Sequence, residues 1–257
     1  MVHGAFCGGW AFERFRVPFE AVGHQVVAPD LSGHGRNGGA DHAEAPARAS
    51  VAGTSMSTYA RAVRKVIDAQ SEPPFLIGHS LGGLVAQMAA SRSRVAGLIL
   101  LAPSSPWGVG GSTAEEAMSA VALYALGPFW ALPIDPDYPS AKRYLFDRLT
   151  AEERRATFER LTPESGRALW ETLNWWLDPF ATTLVPAGGV RAPVLALAGG
   201  RDAIHPPATV RATAQRLGGE TRVFAEMSHW LVGEPGWEDV GGACLDWITA
   251  TESRRAA

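Results

Sequence analysis

Short, unbroken apolar runs alternate along this chain with longer stretches in which apolar residues recur every three or four positions. The runs fall at 25–28, 75–78, 97–102, 194–198 and 221–225. Several keep apolar side chains at successive positions, as strands covered on both faces must. Helical spacing follows between them. In 57–69, Tyr59, Val63, Val66 and Ile67 share one face, and Ser57 or Thr58 is placed to cap the first turn. The stretches 81–91 and 207–217 predict two more helices. A last one is predicted at 237–250, with Val240, Cys244, Trp247 and Ile248 along a stripe. Strand alternating with helix predicts an α/β chain with a mostly parallel sheet and helices on both faces.

Two segments break this rhythm. Residues 32–53 are rich in Gly, Ala and Pro, carry almost no large apolar side chain, and read as a long loop. Residues 106–191 combine helical stretches with many aromatics and predict a helical cap over a pocket. The core is then 1–105 together with 192–257. Most aromatics of the insertion should fill its own interior. Trp107, Trp130 and Trp175, with Phe6 and Trp230 outside it, are the candidates for touching a ligand. No internal repeat or domain linker is evident.

Composition narrows the classes. The 257 residues are 46% hydrophobic and 19% charged, enough for a sizeable core. A net charge of -3 gives no footprint for nucleic acid or for an anionic membrane. No apolar run approaches the roughly 18–20 residues that span a bilayer. The opening MVHGAFCGGW lacks the basic and apolar regions of a leader, so a cytoplasmic protein without membrane anchoring is expected. Cys7 and Cys244 lack redox or zinc spacing and read as structural thiols, with a disulfide between them left open. The seven histidines show no metal-ligand pattern, so neither metal nor cofactor is expected. Oligomeric state cannot be read.

One stretch carries chemistry. In FLIGHSLGGLV, residues 75–85, an apolar run stops at Gly78, Ser80 stands alone, and Gly82 opens a small-residue helix. A serine hydroxyl becomes a useful nucleophile only when exposed, aimed at a base and set beside donors for an oxyanion, and the elbow is expected to hold the Ser80 hydroxyl in the open. A sharp strand-to-helix turn does this, and glycine two residues before and after removes the side chains that would collide. The helix that follows directs free N–H groups and its positive end at the same point.

With HGAFCGGW at 3–10, VVAPDLSGHG at 26–35, PVLALAGGRDAIHP at 193–206 and MSHW at 227–230, the chain resembles the α/β-hydrolase superfamily over nearly its whole length. The resemblance implies Ser80 as nucleophile, His229 as general base and Asp202 as the acid that orients it, in the family's chain order. It also implies backbone N–H groups of Ala5 and Leu81 as the oxyanion hole, each worth about 3–4 kcal/mol in the transition state. Asp178 and Glu226 are weaker substitutes for the acid, and His34, His79 and His205 compete with His229. Asp30 reads as a structural turn residue. One departure stands out: the family places a full central strand before HG, between the runs at 25–28 and 75–78. Here only Met1 and Val2 precede His3, so the N-terminal strands look truncated.

The implied chemistry is hydrolysis of a moderately apolar carboxylic ester through an acyl-enzyme. A serine at position 80 is unlike the dehalogenase and epoxide-hydrolase branches, whose nucleophile is a carboxylate. Trp230 stands where the related hydroxynitrile lyases place a lysine. Thioesterase, lactonase and C–C hydrolase activity use the same triad, and a non-catalytic ligand-binding protein on this fold is a further alternative.

Overall fold

The computed structural model describes residues 1–35, 45–119, 121–124 and 126–256. The chain begins with α1 (Val17–Ala21), α2 (Ala45–Ala52) and α3 (Met56–Asp68), followed by β1 (Phe75–His79), α4 (Leu81–Ala90) and β2 (Gly97–Leu101). Segment 106–191 then adds α5 (Ala114–Ser119), α6 (Val121–Tyr124), the two-residue strand β3 (Pro133–Ile134), α7 (Tyr138–Ser140), α8 (Ala151–Phe158), β4 (Glu164–Ser165) and α9 (Gly166–Leu173). The chain returns through β5 (Val194–Gly199), α10 (Pro207–Arg216), β6 (Glu220–Phe224) and α11 (Trp237–Ala256).

Four of the five apolar runs become one parallel sheet in the order β1-β2-β5-β6. Strand side chains alternate between two covered faces. Leu76, Leu98, Leu100, Ala196 and Ala198 meet Tyr59, Leu84, Val85 and Val210 from α3, α4 and α10. Ile77, Ile99, Leu101, Leu195 and Leu197 meet Phe15, Phe19, Val240, Cys244 and Trp247 on the opposite side. This double coverage explains why the runs lack polar alternation. The sheet orders its carboxyl ends along one edge, where β1, β5 and β6 each hand over to a loop.

Three local expectations change. The N-cap of α3 is Ser55, whose side chain accepts from the Ser57 N–H at 3.1 Å. The helix therefore starts before Ser57, with Ser57 and Thr58 inside its first turn. In the segment read as a loop, residues 36–44 lie outside the described residues, but 45–52 form α2. Its alanines favour helix strongly, and a proline at its second residue needs no intrahelical N–H. The third change concerns 25–28, which forms no strand.

The reason for that last change is the neighbour. Val2 makes a single parallel bridge to Gly78, its N–H donating to the Ile77 carbonyl (2.8 Å) and its carbonyl accepting from His79 (3.0 Å). Met1 reaches the other way, its amino group donating to the Val27 carbonyl at 2.6 Å. Val2 thus stands between β1 and 25–28 with a single bridge, and among the described residues 25–28 joins no ladder. Beyond Met1 lies a cavity of about 440 Å3, lined by Gln25, Val27, Pro74, Phe75 and Ile77 among others.

Candidate active site

Ser80 sits on the turn between β1 and α4 with φ 53° and ψ -124°, a conformation that side-chain-bearing residues seldom adopt. The crowding around it accounts for the glycines. A Cβ on Gly78 would stand 2.5 Å from the Gly82 carbonyl oxygen, and one on Gly82 would stand 2.2 Å from the carbonyl oxygen of His3. The backbone is anchored by the Ser80 N–H to the Leu101 carbonyl (3.0 Å), while the Ser80 carbonyl accepts from Gly83 (2.8 Å) and Ser104 (2.9 Å). Ser80 is only 8% exposed. The open hydroxyl expected from the sequence is thus corrected: the chain packs closely around the elbow, and Ser80 lies on the wall of a cavity instead of on the outer surface.

The three side chains singled out in the sequence come together. His229 Nε2 lies 2.9 Å from Ser80 Oγ, and His229 Nδ1 lies 2.9 Å from Asp202 Oδ2. Asp202 follows β5 and also accepts, through Oδ1, from the amides of Ile204 (2.8 Å) and His205 (3.0 Å). Burial alone would raise the Asp202 carboxyl. The neighbouring His229, its hydrogen bond and His205 outweigh that and hold the group below its ordinary value. The acid is thereby kept ionised beside the imidazole it aligns. The competing acids are elsewhere: Asp178 caps a turn through the amides of Phe180 and Thr182, and Glu226 pairs with Arg201 at the surface.

The loop 3–10 passes directly over the turn. His3 is locked by its own ring, with Nδ1 donating to the Gly4 carbonyl and Nε2 accepting from the Leu31 amide, both at 2.9 Å. Asp30 accepts from the Gly9 amide at 2.8 Å, which fixes the far end of the loop. Ala5 and Leu81 both face the cavity that holds Ser80. Among the described residues, neither the Ala5 N–H nor the Leu81 N–H donates to another protein group. Both residues share that wall with Ser80, and their amides are left for a ligand to meet.

The cavity is about 530 Å3 and mostly apolar in its lining, with Leu123, Leu132, Ile134, Leu169 and Leu173 from segment 106–191. Phe6 and Trp230 line it as well. Trp107, Trp130 and Trp175 do not. Trp107 stacks edge-on against Trp175 (5.4 Å between ring centres), and Trp130 packs between Phe129 and Trp170. The aromatics of segment 106–191 that do reach the wall are Tyr144 and Phe146, beside these leucines and Ile134.

Three side chains support this arrangement; the sequence marks His79 and His205 only as competitors of His229 and does not mark Glu164. His79, next to the serine, directs Nε2 to the His229 carbonyl (2.9 Å) and so braces the histidine loop. His205 meets Ser104 Oγ at 3.0 Å on the cavity wall. Burial first, and then neighbouring His229, lower both rings, to about 3 for His79 and about 4 for His205, so both are neutral at pH 7. Glu164, fully buried in β4, reaches the Phe6 amide. His79 and His205 fall inside the quoted motifs and Glu164 in none, but the supporting contacts of all three reach 100 or more residues away, where no local pattern shows them.

This fold and site define an α/β hydrolase. The chain belongs to the alpha/beta hydrolase family, whose model matches residues 1–238. It is 34% identical over 109 residues to a probable esterase, PIR7A, from rice, a match covering 41% of this chain and 38% of the rice protein. A carbendazim hydrolyzing esterase from a Nocardioides species is 31% identical over 93 residues, covering 36% of this chain and 35% of that protein. The matched stretches thus span little more than a third of these relatives' lengths. Among solved structures, Arabidopsis methylesterase MES16 superposes with a TM-score of 0.68 at 16% identity, over 96% of this chain and 98% of that one. Tomato methylketone synthase I does so with a TM-score of 0.72 at 15% identity, over 97% and 96%. The family match and these superpositions establish the α/β-hydrolase fold.

Proposed function

We propose that this protein is a serine esterase that cleaves moderately apolar carboxylic esters through an acyl-enzyme, with segment 106–191 as the cap over its pocket. The observation that carries this reading is the unbroken relay Asp202–His229–Ser80, two hydrogen bonds of 2.9 Å ending on a serine held at positive φ. In this reading His229 Nε2 takes the proton as Ser80 Oγ attacks the ester carbonyl. The carbonyl oxygen gains negative charge and is met by the Ala5 and Leu81 amides. Collapse breaks the bond to the alcohol oxygen, which leaves with the proton from His229. Water then enters, His229 removes its proton, and the same steps release the acid and restore Ser80. Asp202 stays ionised and stabilises the imidazolium.

The apolar wall supports an apolar acyl or alcohol portion, and the esterase names of the rice and Nocardioides relatives support ester chemistry. Among the described residues no helix is long and apolar enough to cross a membrane. A cytoplasmic setting suits the buried, unpaired Cys7 and Cys244, whose thiols burial pushes up out of the reactive range.

The test is turnover of p-nitrophenyl butyrate by the wild type and by Ser80→Ala, with fluorophosphonate labelling in parallel. Wild-type hydrolysis and labelling, both abolished in the variant, support the reading. Equal rates in the two proteins overturn it. Labelling without turnover on esters of any chain length would move the reading to a thioester, a lactone or a C–C substrate.

A further inference from the structure

The carboxylate of Glu164 is completely buried in β4 and accepts from four donors. Oε2 receives the Phe6 N–H at 3.2 Å and faces His34 Nε2 at 3.1 Å. Oε1 receives the Tyr59 hydroxyl and the Ser165 N–H, both at 2.7 Å. Two residues earlier, the Thr162 N–H donates to the Phe6 carbonyl at 2.8 Å. Both backbone groups of Phe6 are therefore held by the same short stretch of segment 106–191, about 157 positions away in sequence.

Phe6 needs holding. Its φ is 64°, a left-handed conformation that costs a residue with a Cβ free energy and persists only where surroundings impose it. It directly follows Ala5, so the orientation of the Phe6 peptide limits how the Ala5 amide can turn toward Ser80. A buried carboxylate is itself costly, and an apolar group of similar shape often serves stability as well or better. Here burial would raise Glu164, but His34, the Tyr59 hydroxyl and the Ser165 amide hold it below its ordinary value. Glu164 raises His34 in return, despite the burial of that ring. An ionised acceptor is thus kept under the loop that crosses the serine.

We propose that Glu164 is a positioning residue for the oxyanion site: by gripping the Phe6 N–H it sets the Ala5 amide toward the reacting carbonyl, and it makes that alignment depend on the docking of segment 106–191. The proposal rests on the esterase reading above. It adds a group that touches no substrate and acts only through the loop.

Glu164→Gln tests it. The amide has one oxygen for four donors, so its NH2 must oppose either the Phe6 side or the Ser165 side of the site. The measurements are steady-state kinetics on p-nitrophenyl butyrate and binding of a trifluoromethyl ketone of matching chain length. That ketone forms a tetrahedral adduct with the serine and draws on the oxyanion donors. We expect kcat to fall about 10- to 100-fold with KM changed less than about threefold, and ketone affinity to fall by the same factor as kcat. Val240→Ala, a cavity variant on the opposite face of the sheet, is expected to lower the melting temperature while leaving both unchanged. If Glu164→Gln does not fold, Tyr59→Phe removes one donor and no carbon. It is expected to lower kcat and ketone affinity together by about 3- to 10-fold. A folded variant with wild-type kcat and ketone affinity overturns the proposal and leaves the esterase reading standing. An inert wild type brings down both.

Discussion

A Cβ built on Gly4 would stand 3.0 Å from Ser80 Cβ, so the loop that carries Ala5 lies in contact with the residue at the tip of the elbow. The same Cβ would be 3.2 Å from His79 Nδ1. Gly4→Ala must therefore lift the loop by a few tenths of an ångström, away from where an oxyanion would form. The expected outcome is a fall of about 10- to 100-fold in kcat on p-nitrophenyl butyrate, with a much smaller change in KM. Steady-state kinetics measure it, and a variant with wild-type kcat would show that Ala5 is not a donor.

Asp202→Asn keeps the shape of the acid but removes its charge and presents an N–H in place of one acceptor oxygen. The His229 ring then loses the partner that fixes its tautomer and stabilises its imidazolium. The expectation is a loss of about 10^3–10^4 in kcat, with fluorophosphonate labelling of Ser80 slowed in step. A loss below tenfold would move the acid to another residue.

The elbow glycines and the helix glycines should respond in opposite directions. Gly82→Ala would put a methyl 2.2 Å and 2.4 Å from the carbonyl oxygens of His3 and Val2, backbone atoms that cannot rotate aside. It is expected to cost about 3 kcal/mol or more. Gly242, inside α11, has nothing within 4 Å of the same position. Gly242→Ala is expected to stabilise by about 0.5–1 kcal/mol through helix propensity. Urea unfolding of the two variants checks both signs.

Glu234 gives the pH dependence. It lies fully buried under the histidine loop and accepts from the Ser228 amide. Burial raises its carboxyl from 4.5 to about 7, against the pull of that hydrogen bond. Below pH 4.5 the group is protonated in both folded and unfolded chains and costs nothing. Between 4.5 and about 7 the unfolded chain ionises first, so its contribution to stability falls as pH rises. Glu234→Gln retains an acceptor for Ser228 and does not titrate. The variant should therefore gain melting temperature over the wild type at pH 8.5 and not at pH 4. Equal gains at both values would assign the effect to packing.

The pocket wall predicts chain-length preference. Ile134 is 5% exposed and lines the cavity, while Trp130 is 49% exposed and packs on Trp170 outside it. Ile134→Ala should shift the optimum in a series of p-nitrophenyl esters toward longer acyl chains. Trp130→Ala should leave the ranking of the series unchanged. A reversed result would place the acyl group on the tryptophan side.

The amino-acid sequence by itself determined the alternation of strand and helix, the elbow and the order of its chemical groups. These depend on local causes: apolar runs covered on two faces, helical spacing, and a backbone bend that only glycine flanks allow. Ser80 was legible from the elbow itself, whereas Asp202 and His229 were legible only through the resemblance of their loops to α/β-hydrolase motifs. Tertiary structure alone decided the rest. It carried His229 back across 149 positions to Ser80, set Glu164 under Phe6, and turned Trp107, Trp130 and Trp175 toward other rings instead of the cavity. The division is physical. Propensity and periodicity act over a few residues, whereas burial, pairing and hydrogen bonding between distant segments exist only once the chain has closed on itself.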